Sequence, residues 1–162
     1  MRVGFGYDVH AFANGRSLIL GGVHVSYEKG LLGHSDADVL VHAVIDSLLG
    51  AAALGDIGFL FPDSDSRYKD ISSVYLLKKV VEILLDKGYI CNNVDCTVVA
   101  QAPKLAQYRE EIRNNLAVAL GIAKEYVSVK ATTTEGLGFT GKKEGIAAYA
   151  VCSIDDIKNK VK

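Results

Sequence analysis

A chain of 162 residues suits one domain of ordinary size, and 49% hydrophobic with 23% charged residues is enough to bury a core and excludes a disordered chain. A formal net charge of −1 excludes a general nucleic-acid binder, whose phosphate contacts need a basic surface, yet leaves room for a small phosphorylated ligand in a local pocket of donors. The three cysteines, Cys91, Cys96 and Cys152, show neither metal-type nor redox spacing and read as buried thiols of a reducing compartment.

Asp8 and His10 stand where a signal peptide would need its apolar run. His42 and Asp46 interrupt the longest candidate for a membrane span, so the chain reads as cytoplasmic. Residues 3–10 read as a strand. A second pair of strands, residues 17–20 and 23–26, flanks Gly21 and Gly22, which suit the positive φ angles of a two-residue hairpin turn. Residues 34–37 form a polar loop leading into a helix over 38–54 that is apolar nearly all round.

A second helix, residues 72–87, carries Val74, Leu77, Val81, Leu84 and Leu85 on one face and stops at Gly88. Residues 94–101 read as a strand. Pro103 then opens a third helix with Leu105, Ile112, Leu116, Ala119 and Leu120, ended by Gly121. The last strands are residues 126–132 and 146–154. Both faces of the final strand are apolar: Ile146, Ala148, Ala150 and Cys152 on one, Ala147, Tyr149 and Val151 on the other. Such a strand is covered on both sides: helices would cover one, and a second copy of the protein is a candidate for the other. The fold class is α+β, a mixed β-sheet with helices packed on one face, and residues 1–162 form a single domain.

Three clusters carry chemistry. Asp8 and His10 are two apart on a strand, so carboxylate and imidazole share a face; alone, such a pair is usually a solvated edge. Asp38, His42 and Asp46 then recur at i, i+4 and i+8 on an otherwise apolar helix, where ionisable groups are costly unless partnered. A satisfied core histidine is one reading. The functional one is a zinc site of Asp8, His10 and His42 with an open fourth position, Asp38 or Asp46 orienting the His42 ring. Third, Thr132, Thr133, Thr134 and Glu135 follow Lys130 at a strand end before a glycine-rich turn, where hydroxyls, N–H groups and a carboxylate suit phosphate bridged by Mg²⁺. Plain strand threonines are the alternative. The carboxylates of Asp63 and Asp65, with Phe61, Pro62 and Ser64, sit in a loop that serves a metal or ligand, or else is a solvated turn.

The stretches Gly6–Tyr7–Asp8–Val9–His10, Leu32–Gly33–His34–Ser35–Asp36, Gly55–Asp56–Ile57–Gly58, Phe61–Pro62–Asp63, Ala100–Gln101–Ala102–Pro103–Lys104 and Lys130–Ala131–Thr132–Thr133–Thr134–Glu135 occur in this order. Gly138–Phe139–Thr140–Gly141 and Glu144–Gly145–Ile146–Ala147 complete the set. Each is a weak signal alone; together, from end to end, they make the chain resemble the 2-C-methyl-D-erythritol 2,4-cyclodiphosphate synthase family.

The resemblance implies roles. Asp8, His10 and His42 match zinc ligands, and Glu135 a ligand of Mg²⁺ or Mn²⁺ held with the substrate diphosphate. His34 and Thr133 match groups that steady the transition state. Asp56, Ile57 and Gly58 fall where methylerythritol hydroxyls bind, beside Val9 and Ser35. Ala100, Gln101, Ala102, Pro103, Lys104, Leu105 and Ala106, with Thr132, Thr133 and Thr134, match the cytidine and diphosphate pocket. The loop of Phe61, Pro62, Asp63, Ser64 and Asp65 matches a segment closing over substrate, and Phe139 and Lys142 complete the set. Lys142 departs from the arginine usual there; lysine is a point charge without a planar fork.

The family is a homotrimer with sheets facing the threefold axis and active sites between subunits. Its activity converts 4-diphosphocytidyl-2-C-methyl-D-erythritol 2-phosphate to the 2,4-cyclodiphosphate with release of CMP. From the residues themselves, a zinc phosphohydrolase and a non-catalytic cytidine-nucleotide regulator remain alternatives built on the same pocket.

Overall fold

The computed structural model describes residues 1–62 and 64–159. In chain order the elements are β1 (Arg2–Ala13), β2 (Leu18–Leu20), β3 (Val23–Val25), β4 (Gly30–Leu31), α1 (Val39–Ala52), α2 (Ile57–Leu60) and α3 (Ser73–Asp86). They continue with β5 (Tyr89–Val99), α4 (Arg109–Leu120), β6 (Val127–Thr132), α5 (Gly138–Gly141) and β7 (Gly145–Asp156). The main sheet runs β4-β1-β7-β5-β6, with β5 and β6 parallel and the other pairs antiparallel; β2 and β3 make a separate hairpin. The fold is α+β with a mixed sheet.

The inward side of β1 decides how closely α1 can approach. Gly4 and Gly6 are buried, and a Cβ on them would lie 1.8 Å from the Ser47 carbonyl oxygen and 1.9 Å from that of Ala43. Only glycine lets the helix backbone rest there. This contact seats α1 against β1 and β7 and brings residue 42 beside the end of β1. The core between helices and sheet is built from Leu40, Ile45, Leu48, Leu77, Leu116 and Ile146, all fully or almost fully buried.

The two-glycine turn forms as expected, with φ +58° at Gly21 and +72° at Gly22. Asp38 caps α1 and ties it to this hairpin: its carboxylate accepts from Val41 N–H at 3.1 Å, Gly21 N–H at 2.9 Å and Gly22 N–H at 2.7 Å. Burial pushes its pKa up to about 6 against the pull of those three donors.

Boundaries differ from expectation most clearly at three points, the first being β1, placed at 3–10, which runs on to Ala13 where β4 pairs with it. The strand placed at 94–101 begins at Tyr89, because a bulge between Cys91 and Asn93 accommodates two asparagines that are poor strand formers. Pro103 does not open the third helix, which starts at Arg109 with Glu110 and Glu111 in its first turn. Leu105 is drawn into the core first, and a short 3-10 turn over Ala106–Tyr108 intervenes. On β7, Ile146, Ala148, Ala150 and Cys152 face the helices and are buried, whereas Tyr149 and Val151 stand exposed on the other face of the sheet.

Candidate active site

Strand alternation places Asp8 and His10 on the helix-facing side at the end of β1, and α1 delivers His42 opposite them. Asp8 Oδ2 lies 3.0 Å from His10 Nε2 and 3.1 Å from His42 Nδ1, and the two ring nitrogens are 3.2 Å apart. Among the described residues these three form a group that could hold a metal ion.

Proton counting strengthens that reading. His10 Nδ1 sits 2.6 Å from the Leu32 carbonyl oxygen, which can only accept, so Nδ1 carries the hydrogen and Nε2 presents a lone pair. Ser73 Oγ donates to Asp36 Oδ1, a carboxylate that can only accept. Ser73 Oγ must therefore accept the contact 2.8 Å from His42 Nε2, which makes Nε2 the protonated nitrogen and leaves a lone pair on Nδ1. Three electron-pair donors thus converge with no hydrogen between them. A cation satisfies such a set; in its place only a shared proton can.

The electrostatics show that the cluster draws positive charge, whether a proton or a cation. Burial works to raise the Asp8 pKa, but hydrogen bonds and charge from His10 and His42 outweigh it and hold the carboxyl well below its usual range. Burial likewise works to lower His10, and the Asp8 carboxylate reverses this, leaving the imidazole above its ordinary value.

The cluster lies in a cavity of about 230 Å³ lined also by Gly33, His34, Ser35, Ile57, Gly58, Phe61, Tyr68 and Leu76. A second cavity of about 230 Å³ is lined by Ala100, Gln101, Pro103, Lys104, Leu105, Ala106, Ala131, Thr132 and Thr133. Both open at the same end of the sheet, but β1 and β6 are three strand spacings apart, roughly 14 Å at about 4.8 Å each. Beside the second cavity, Glu135 adopts φ +53°, its carboxylate accepts from Thr133 Oγ1 at 2.8 Å, and Gly136 N–H donates to Gln101 Oε1 at 3.2 Å.

Several expected residues line neither cavity. Val9 points to the opposite sheet face. Exposed Asp56 uses Oδ1 to cap α2 at Phe59 N–H, 2.9 Å away. Asp65 pairs with Arg67 at 2.6 Å. Phe139 and Lys142 are exposed at α5. Asp63 lies outside the described residues.

The expected orientation of His42 by Asp38 or Asp46 is corrected. Asp38 is spent on the hairpin and helix cap, and Asp46 Oδ1 accepts from Ile57 N–H at 2.8 Å, tethering α2 at the cavity wall. A helical stripe spaced i, i+4 shares a direction, not a partner. The ring is instead held by Ser73 and, at 3.2 Å, Ser35. Ser73, Tyr68 and Leu76 went unrecognised because nothing local links them to Asp8, His10 and His42, far away in sequence.

Residues 1–155 match the model of the YgbB family. A protein of Alkaliphilus metalliredigens named 2-C-methyl-D-erythritol 2,4-cyclodiphosphate synthase is 60% identical over 154 residues, covering 95% of this chain and 97% of its own. Among solved structures, the bifunctional IspDF of Campylobacter jejuni superposes with TM-score 0.92 at 42% identity over 97% of this chain, which spans 43% of that longer chain. IspF of Plasmodium falciparum, solved as a CDP complex, gives TM-score 0.83 at 35% identity over 96% of both chains. On sequence and on fold alike, the chain belongs to the YgbB family.

Proposed function

We propose that the chain is a single catalytic domain that converts 4-diphosphocytidyl-2-C-methyl-D-erythritol 2-phosphate to 2-C-methyl-D-erythritol 2,4-cyclodiphosphate and CMP. The observation that carries this is the convergence of Asp8 Oδ2, His10 Nε2 and His42 Nδ1, as proton-free donors, in a cavity also lined by His34 and Ser35. Two imidazoles and a carboxylate suit Zn²⁺ and leave a fourth position for a phosphate oxygen. Bound there, zinc would act as a Lewis acid that neutralises phosphate charge.

The chain's own residues do the positioning. The substrate 2-phosphate oxygen attacks the β-phosphorus, the bond from that phosphorus to the CMP oxygen breaks, and no water is consumed. The nucleophile is already anionic and tethered, so no side chain must be activated. His34 lies at the cavity wall to steady charge on the transferring group, with Ser35, Ile57 and Gly58 beside the sugar. Lys104, Thr132 and Thr133 line a pocket for the cytidine diphosphate end, and Glu135 offers one exposed carboxylate for Mg²⁺ or Mn²⁺ carried with the phosphates.

The separation of the two cavities, together with the apolar outer face of β1 and β7, supports a homotrimer in which each site is completed by a neighbouring copy. The loop from Phe61 to Asp65 would close over the substrate. The three buried cysteines fit a reducing, cytoplasmic setting; among the described residues, no helix is long and apolar enough to cross a membrane. Incubation with the substrate in ¹⁸O-water, followed by phosphorus NMR, should give CMP and a cyclic diphosphate free of solvent oxygen. One label per turnover would make the protein a zinc hydrolase instead.

A further inference from the structure

The His42 ring is held by a device in which every hydrogen can be assigned. Ser73 is the first residue of α3 and fully buried. Asp36, from the loop before α1, accepts Ser73 N–H at 3.0 Å through Oδ2 and Ser73 Oγ–H through Oδ1. Its charge sits at the N-terminus of a 14-residue helix, where the peptide dipoles favour an anion and keep the carboxylate an acceptor. With its only hydrogen committed to Asp36, Ser73 Oγ accepts from His42 Nε2 and, at 3.3 Å, from Ser35 Oγ. The result is one permitted tautomer of His42, protonated at Nε2 and open at Nδ1, toward Asp8 and His10.

We propose that Ser73, locked by Asp36, is a positioning residue that fixes the tautomer and orientation of His42 for metal binding. The inference rests on the metal-site reading above. A lone imidazole has two tautomers, and the wrong one puts a hydrogen where the cation must sit. Ser73 lies 31 residues from His42 in sequence, and the turn that presents it is fastened to the Asp36 loop by Asp36 N–H donating to the Ile71 carbonyl at 3.0 Å. Metal affinity is thereby coupled to the docking of α3.

Zinc ion alone, added to the metal-free full-length protein in competition with a chelating dye, tests this. Removal of such a supporting contact lowers metal affinity by roughly 10- to 100-fold. Ser73→Ala should show a loss of that size with its circular dichroism retained, and Ser73→Thr, which keeps the hydroxyl, should recover most of it. Nitrogen-15 NMR of the unmutated metal-free protein should show His42 protonated at Nε2, a readout that survives if Ser73→Ala fails to fold. Ser73→Ala binding zinc within twofold of the parent, or a parent His42 that is neutral with its hydrogen on Nδ1 rather than Nε2, overturns the proposal. A parent protein that takes up no zinc would instead overturn the metal site on which it rests.

Discussion

Tyr7 of β1 and Tyr149 of β7 stand directly opposite one another, ring centroids 4.9 Å apart, on the sheet face that the helices leave open. Phe5 extends the patch, 6.2 Å from the same Tyr149 ring, and Val151 pairs with it across the strands. Phe5 is 62% exposed in the single chain. An apolar surface of this kind is what the proposed trimer would bury between its chains.

Phe5→Glu should therefore cost the isolated chain little, because the side chain is in solvent there, yet abolish assembly by burying an unpaired charge. Light scattering should show a trimer for the parent protein and a monomer for the variant. Mixing inactive His10→Ala and inactive Lys104→Ala subunits should restore partial activity if the two cavities meet between chains. A parent protein that scatters as a monomer would contradict both.

His42→Ala should remove one zinc per chain and leave the fold. The loss in stability of the metal-free form should be modest, about 1–2 kcal/mol, since Ser73 keeps Asp36 and Ser35 as partners. Metal analysis beside a thermal melt checks both halves of the expectation.

Zinc affinity and metal-free stability should respond to pH with opposite signs. Asp8 titrates below its unfolded value, so its contribution is present above the ordinary carboxylate pKa and is lost as pH falls. His10 titrates above its unfolded value, so its contribution is present at low pH and is lost as pH rises through the folded pKa. Between about pH 6 and pH 8, where histidine discharges, the melting temperature of the metal-free protein should fall while zinc affinity climbs. Titrations at several pH values, with and without zinc, would show whether the two curves cross.

Glu135 should matter for turnover and little for folding. It is exposed, and among the described residues the side-chain donor to its carboxylate is Thr133. Glu135→Gln keeps the shape and removes the charge, so kcat should fall by roughly 10²-fold while the melting temperature moves little. A parallel loss of both would return the residue to a structural role.

Gly6→Ala should behave in the reverse manner. Its Cβ would enter the Ala43 carbonyl at 1.9 Å, a backbone atom that cannot swing aside, and α1 would have to lift from β1. Destabilisation of about 3 kcal/mol is expected, with zinc affinity reduced because residue 42 rides on the same helix. Chemical denaturation and zinc titration read the two effects separately.

Much of this was legible in sequence because it depends on local rules. Gly21 and Gly22 announce their turn through positive φ, Gly88 stops its helix, and the two-residue period of a strand puts Asp8 and His10 on one face whatever surrounds them. The ordered motifs, carried on their own residue types, pointed to the family. What local rules could not supply was partnership. Asp38, His42 and Asp46 share a helical stripe, so sequence spacing suggested a common task; the fold sends Asp38 to the hairpin, Asp46 to Ile57 and His42 to Asp8. Ser73 becomes the partner of His42 only because α3 docks beside α1, and β5 begins at Tyr89 only because β7 offers it a ladder across a bulge. Hydrogen bonds and cation sites are set by distances of a few ångströms between chain-distant atoms. Periodicity fixes the direction a side chain faces, and only packing decides what it meets there.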